Sequence, residues 1–178
     1  MNSTNPIIAF LFVATAGFNA LATETLVGIS YFAGWWEEQP NKWQYPDGRD
    51  WRPDYTERIP LLGEYNTQEV MDKEIITAAE HGVDFFSILW YYQPDGMERE
   101  PNARYLERGI TNFINSPEAH RMKFMIEFCN HPPYDVESDA QWEACIEKWI
   151  QWMRHPSCLR VKGRPVFKVH GFHHFMAQ

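Results

Sequence analysis

Apolar positions in this chain alternate between short dense runs and longer stretches with a helical period. Residues 26–32 form a short apolar and aromatic run, and residues 83–92 a near-continuous one of the kind buried on both faces of a parallel sheet. Residues 123–129 and 165–171 supply two more strand candidates. Between the first two lies a polar, aromatic stretch, 35–65, in which Pro40, Pro46, Pro53 and Pro60 block regular structure. Asn66 or Thr67 then caps a helix with Val70, Met71, Ile75, Ala78 and Ala79 on one face, and Gly82 stands where it would end left-handed. A second helix is predicted over 102–115, with Leu106, Ile110, Phe113 and Ile114 inward. Ser138 and Gln141 make a capping box for a third. That helix places Trp142, Cys145, Ile146, Trp149, Ile150 and Met153 in one core stripe.

The resulting order, β-α-β-α-β-α-β, implies an α/β fold with a parallel sheet and right-handed crossovers. An open doubly wound sheet and a (β/α)8 barrel of the TIM-barrel type both fit. A complete barrel takes roughly 200 residues or more, so four βα units make half of one. We read residues 23–178 as the N-terminal part of such a barrel, truncated or completed by another copy.

Residues 1–22 stand apart. They hold an apolar run at 7–17 followed by Ala20-Leu21-Ala22, the form of a secretory signal peptide and its cleavage site, although no Lys or Arg precedes the run. The run is shorter than the ~20 residues of a membrane span. A secreted or periplasmic protein is the expectation; a buried N-terminal strand or an uncleaved anchor is the alternative.

Charge narrows the partners. With 16 Lys and Arg against 24 Asp and Glu, the net charge of −8 carries no basic cluster. That argues against nucleic acid and against a basic membrane-surface helix. An apolar fraction of 44% with 22% charged residues excludes a disordered chain. Cys129, Cys145 and Cys158 are odd in number and lack a CxxC pair, so one disulfide plus a free thiol is open, and buried thiols are expected.

Chemistry in either fold gathers at the carboxyl ends of the strands. Those ends read Tyr31-Phe32-Ala33-Gly34-Trp35-Trp36, Trp90-Tyr91-Tyr92, Glu127-Phe128-Cys129-Asn130-His131 and His170-Gly171-Phe172-His173-His174. No GxGxxG, Walker loop, GxSxG or HExxH is present, so no cofactor is expected and hydrolytic serine or zincin chemistry is set aside. Eight Trp in an aromatic fraction of 16%, around a carboxylate and imidazoles, suit sugars, whose C–H faces stack on rings while their hydroxyls need polar partners. Tyr31, Trp90, Glu127 and His170 are expected to converge at one end of the sheet.

Several of these segments resemble the glycoside hydrolase family 99-like group, which includes the WbsX-like proteins. They are residues 31–36, Arg58-Ile59-Pro60-Leu61-Leu62-Gly63-Glu64-Tyr65, Glu80-His81-Gly82-Val83-Asp84-Phe85-Phe86 with Trp90-Tyr91, and Gly163-Arg164-Pro165-Val166-Phe167. The resemblance runs from about Val27 to Phe172. It implies a (β/α)8 barrel acting on glycans, mannose-containing polymers among them. It implies that Glu127 is the carboxylate that deprotonates a sugar 2-hydroxyl, which then attacks its own anomeric carbon. It likewise implies that Trp90 and Tyr91 line the subsite. The group's acid/base motif, Glu-Trp-His-Glu, is absent, so the pair is incomplete and a chain ending at Gln178 is not expected to turn over.

Blander roles compete for these residues. Glu127 shares a face with Met125 and Cys129, and Lys168 and His170 on the next strand can pair with it, making it structural. Tyr31, Trp35, Trp36, Trp90 and Tyr91 are sugar platforms or core under the long loop. His131, His170, His173 and His174 hydrogen-bond substrate or lie on loops; their spacing is weak for metal, and none is expected. Trp142, Trp149 and Trp152 belong to helix packing, and Asp84 to a strand end. Asp47, Asp50 and Asp54 are solvated. The functional alternatives to a glycoside hydrolase are a non-catalytic glycan-binding module and a polysaccharide-assembly glycosyltransferase.

Overall fold

Four parallel strands carry the structure, a computed structural model that describes residues 25–94 and 97–171. The signal-like segment, His173, His174 and Gln178 lie outside the described residues. The strands are β1 (Gly28–Tyr31), β2 (Phe85–Trp90) and β3 (Lys123–Cys129), joined after a small hairpin, β4 (Arg160–Val161) and β5 (Arg164–Pro165), by β6 (Phe167–His170). Sheet order is β1-β2-β3-β6 and every neighbouring pair is parallel. Three helices connect them: α1 (Gln68–Glu80), α2 (Arg108–Asn115) and α3 (Asp139–Met153). The β-α alternation read from the sequence is present.

Local chemistry places each element. Thr67 Oγ1 accepts the Val70 amide at 3.2 Å to start α1, and Gly82 follows the helix at φ 80°. Ser138 Oγ accepts the Gln141 amide at 3.4 Å at the head of α3. Asp84 acts as the expected strand-end carboxylate: its Oδ2 accepts the Val27 amide at 2.7 Å. Lys162 and Gly163, at φ 50° and 78°, form the two-residue turn of the β4–β5 hairpin. That hairpin takes Pro165 out of the predicted fourth strand, which starts at Phe167.

Helices lie against one face of the sheet. Phe86, Ile88, Trp90, Phe124, Ile126 and Phe128 pack there against Met71 and Ile75 of α1, Ile110 and Phe113 of α2, and Cys145 and Trp152 of α3. At Gly109 the chain of α2 comes so near the sheet that a Cβ would stand 2.9 Å from Ile88 Cγ2 and 3.1 Å from Ala33 Cβ. The single helix predicted over 102–115 is divided, with a 3-10 segment Ala103–Glu107 ahead of α2. Asn102 sits there at φ 65°, and its Nδ2 donates to the carbonyls of Glu38 and Pro40 at 3.2 Å each. The α3 stripe also needs correction, because Ile146 and Ile150 are exposed while Cys145 and Trp152 are buried. Lys148, two residues past Ile146, reaches back to Glu107 at 2.9 Å. Two residues turn a helix by about 200°, so Ile146 and Ile150 lie on the flank turned away from the preceding unit.

All three cysteines are free and buried, and burial pushes the Cys145 thiol up to about 12. No helix among the described residues is long and apolar enough to cross a membrane.

Candidate functional site

Strand alternation puts a different set of side chains on the face opposite the helices. Ser30, Ser87 and Met125 fall in register, then Leu89, Glu127 and Lys168, then Cys129 and His170. Glu127 is 1% exposed at the centre of this row. Its Oε2 accepts the Ser87 hydroxyl at 2.6 Å and the Ser30 hydroxyl at 3.4 Å. Its Oε1 meets Lys168 Nζ at 2.7 Å and His170 Nδ1 at 2.8 Å. A buried carboxylate needs this many partners, because an unpaired one is expensive to desolvate. Burial pushes its pKa upward, but Lys168, Ser87 and His170 together outweigh it and hold the carboxyl below the usual range. The pairing parity expected of Lys168 and His170 is thus realised in contacts.

Beside this cluster opens a cleft of about 480 Å³, within the size range of small-molecule sites. Trp36, Tyr91, His131 and Tyr134 line it, with Asn41, Lys42 and Glu100 among its polar groups. Glu127 lies outside it, and Tyr91 makes the link: it lines the cleft and lies close to Cys129, which follows Glu127 on the same face of β3. Burial above all pushes the Cys129 thiol up to about 11. His131 stands edge-on to Tyr91 and Tyr134, with ring centres 5.7 and 6.1 Å apart. The Tyr134 hydroxyl donates to Glu100 at 2.7 Å.

Not every residue expected here arrives. Trp90 is 1% exposed on the helix side of the sheet, packed on Phe128, Trp149 and Trp152 with ring centres 5.7 Å away in each case. Tyr31 faces that side too, donating its hydroxyl to Glu74 of α1 at 2.7 Å. The expected convergence of Tyr31 and Trp90 with Glu127 and His170 is therefore corrected. Both have the opposite strand parity, and an aromatic at a strand end points wherever its parity sends it. Trp35 packs at a tilt on Trp43, within the same 35–65 stretch, with 4.7 Å between ring centres, and is not among the residues that line the cleft. Asp54 is exposed, as expected, and Asp50 is half-buried; the two pair with Arg49 and Arg52.

The sequence reading missed Ser30, Ser87, Tyr134 and Glu100. Ser87 had a signal, as the polar residue interrupting an apolar strand run; Tyr134 and Glu100 come from loops with none. Among the described residues no group of three His, Cys, Asp or Glu is placed to hold a metal ion.

No protein-family model matches the chain, and no curated protein matches it. Solved structures do. A GH99 endo-alpha-mannosidase from Bacteroides thetaiotaomicron, in complex with BIS-TRIS-propane, superposes with a TM-score of 0.52 at 21% identity. The match covers 82% of this chain and 42% of that one. A second structure of the GH99 endo-alpha-mannosidase from that organism gives 0.53 at 18% identity, over 82% and 45%. The fold is shared. The chain spans less than half the length of these structures, and its four strands and three helices correspond to part of a (β/α)8 barrel. At this identity the likeness concerns architecture, and the residues must speak for chemistry.

Proposed function

We propose that this chain is the N-terminal part of an exported glycoside hydrolase-like barrel acting on polysaccharide, mannose-containing polymers included. The observation that carries the reading is a buried, ionised carboxylate, Glu127, at the carboxyl end of a barrel strand. It lies on the face away from the helices and beside an aromatic cleft of sugar-binding character. Conserved barrel geometry puts active sites at that end. Aromatic walls with a few polar groups suit a pyranose, whose apolar face stacks while its hydroxyls find Glu100, His131 and Lys42. On this reading Glu127 belongs to the glycan-binding face, and its acid partner is contributed from outside the four strands described. Residues 1–22 direct export, to the periplasm or beyond.

Titration of the chain with α-mannose oligosaccharides, followed by tryptophan fluorescence, tests the binding. Saturable quenching is expected. Truncating Tyr134 to Ala should weaken it by roughly fivefold, since a ring face against a sugar is worth on the order of 1 kcal/mol. A chain that folds yet shows no saturable response to any oligosaccharide sinks the reading. Export is tested separately by the length of the mature N-terminus: retention of residues 1–22 on a soluble intracellular product rejects it.

A further inference from the structure

Glu127 is so enclosed that a ligand on the open face can hardly touch it. Its side chain is 2% exposed, whereas those of Lys168 and His170 are 47% and 50% exposed. Both carboxylate oxygens are occupied, Oε2 by the hydroxyls of Ser87 and Ser30 and Oε1 by Lys168 and His170. What reaches the open face at this point is therefore the pair of cationic or imidazole side chains that Glu127 holds. Of the two ring nitrogens of His170, Nδ1 is the one engaged among the described residues.

From this arrangement we infer that His170 is the ligand-contacting residue of the site and that Glu127 is its positioning residue. Nδ1–H donates to Glu127 Oε1, which fixes the ring plane and the tautomer, and Nε2 is left as a bare acceptor for a sugar hydroxyl. A buried carboxylate behind an imidazole performs this orienting task in hydrolases and at metal sites alike. Lys168 has its own place in the argument. By meeting the same oxygen it compensates the buried negative charge, so the imidazole is free to face the carboxylate as a neutral donor. The groups facing His170 are then Glu127, Lys168 beside it on β6, and the Cys129 thiol across from it in register on β3. The inference rests on the glycan reading for the identity of the ligand. It departs from the direct deprotonation by Glu127 that the family resemblance implies.

Two-bond proton–nitrogen correlation spectra of the nitrogen-15-labelled full chain report the His170 tautomer without any glycan. At neutral pH, Nδ1 is expected to carry the proton and Nε2 to show the shift of an unprotonated ring nitrogen. Glu127→Ala should move the ring towards the Nε2–H tautomer that prevails in water, and Glu127→Gln, which retains an acceptor oxygen, should restore Nδ1–H. A merely structural Glu127 would not produce that split. Should neither variant fold, the wild-type spectrum decides alone: an Nε2–H tautomer or a doubly protonated ring there overturns the inference. Adding α-mannose oligosaccharide should then shift the His170 Nε2 resonance, and His170→Ala should weaken binding by about tenfold at most. An oligosaccharide that binds while leaving Nε2 unmoved overturns the ligand-contact half. Failure of every oligosaccharide to bind, with Nδ1–H in place, overturns the glycan reading and that half with it, and leaves the orienting pair standing.

Discussion

The two faces of the central sheet are made from the same four strands and have opposite characters. Towards the helices, alternate residues are Phe86, Ile88, Trp90, Phe124, Ile126 and Phe128, a dry layer of rings and branched chains. On the other face the same strands present Ser30, Ser87, Glu127, Lys168 and His170, joined by hydrogen bonds into one cluster. The aromatic richness that first pointed to a sugar site belongs largely to the first face, where it is core. The chemistry belongs to the second, together with the cleft of Trp36, Tyr91, His131 and Tyr134 at its margin. A count of tryptophans does not locate a ligand site; the parity of each one does.

The sharpest way to break this contrast is Trp90→Ala. If the ring is core, its loss should destabilise the chain by about 3–5 kcal/mol, read as a large fall in denaturation midpoint. An unchanged midpoint with weakened glycan binding would instead return Trp90 to the site. Next in size is Gly109→Ala, which drives a methyl towards Ile88 and Ala33. We expect a loss of about 1–3 kcal/mol from overpacking, and an unaltered melt would show that α2 stands further from the sheet than described.

Glu127→Gln addresses the other face and should lower stability by about 1–2 kcal/mol at neutral pH, modest because Lys168 and His170 regain water. Its pH dependence carries a sign. The folded-state pKa lies below the unfolded value, so the carboxylate's contribution is complete above the ordinary carboxyl range of about 4.3. It is lost as pH falls through the lowered value. The gap between wild type and variant should therefore close as pH falls below that range; a gap that persists in strong acid contradicts the ion cluster. Smallest is Tyr31→Phe, which removes the donor to Glu74. It should shift stability by about 0.5–1.5 kcal/mol while glycan binding stays as it was. A binding defect would mean that Tyr31 serves the open face after all.

Much of the architecture is legible in the sequence. Lys123 to Cys129 as a strand, Thr67 and Ser138 as caps and Gly82 as a helix stop all followed from rules that act within a few residues. The partnership of Glu127 with Lys168 and His170 was also readable, because period-two parity survives across paired strands once their order is known. Less legible were the break at Asn102 and the exposed Ile146 and Ile150. The first is set by carbonyls of Glu38 and Pro40, more than sixty residues away, and the second by which flank of α3 meets the preceding unit.

By itself, then, the sequence determined the elements and their order, since periodicity, capping and turn chemistry are local, and a β-α-β alternation admits little besides a parallel sheet. Only the tertiary structure decided which parity of each strand met the helices. A strand such as β2, apolar but for Ser87, marks its two faces by a single polar residue, and a ring suits a dry core or a sugar equally well. Packing settled it: α3 brought Trp149 and Trp152 onto Trp90. Once that ring was inside, the alternation of the backbone sent Tyr91 to the cleft and Glu127 to the open face.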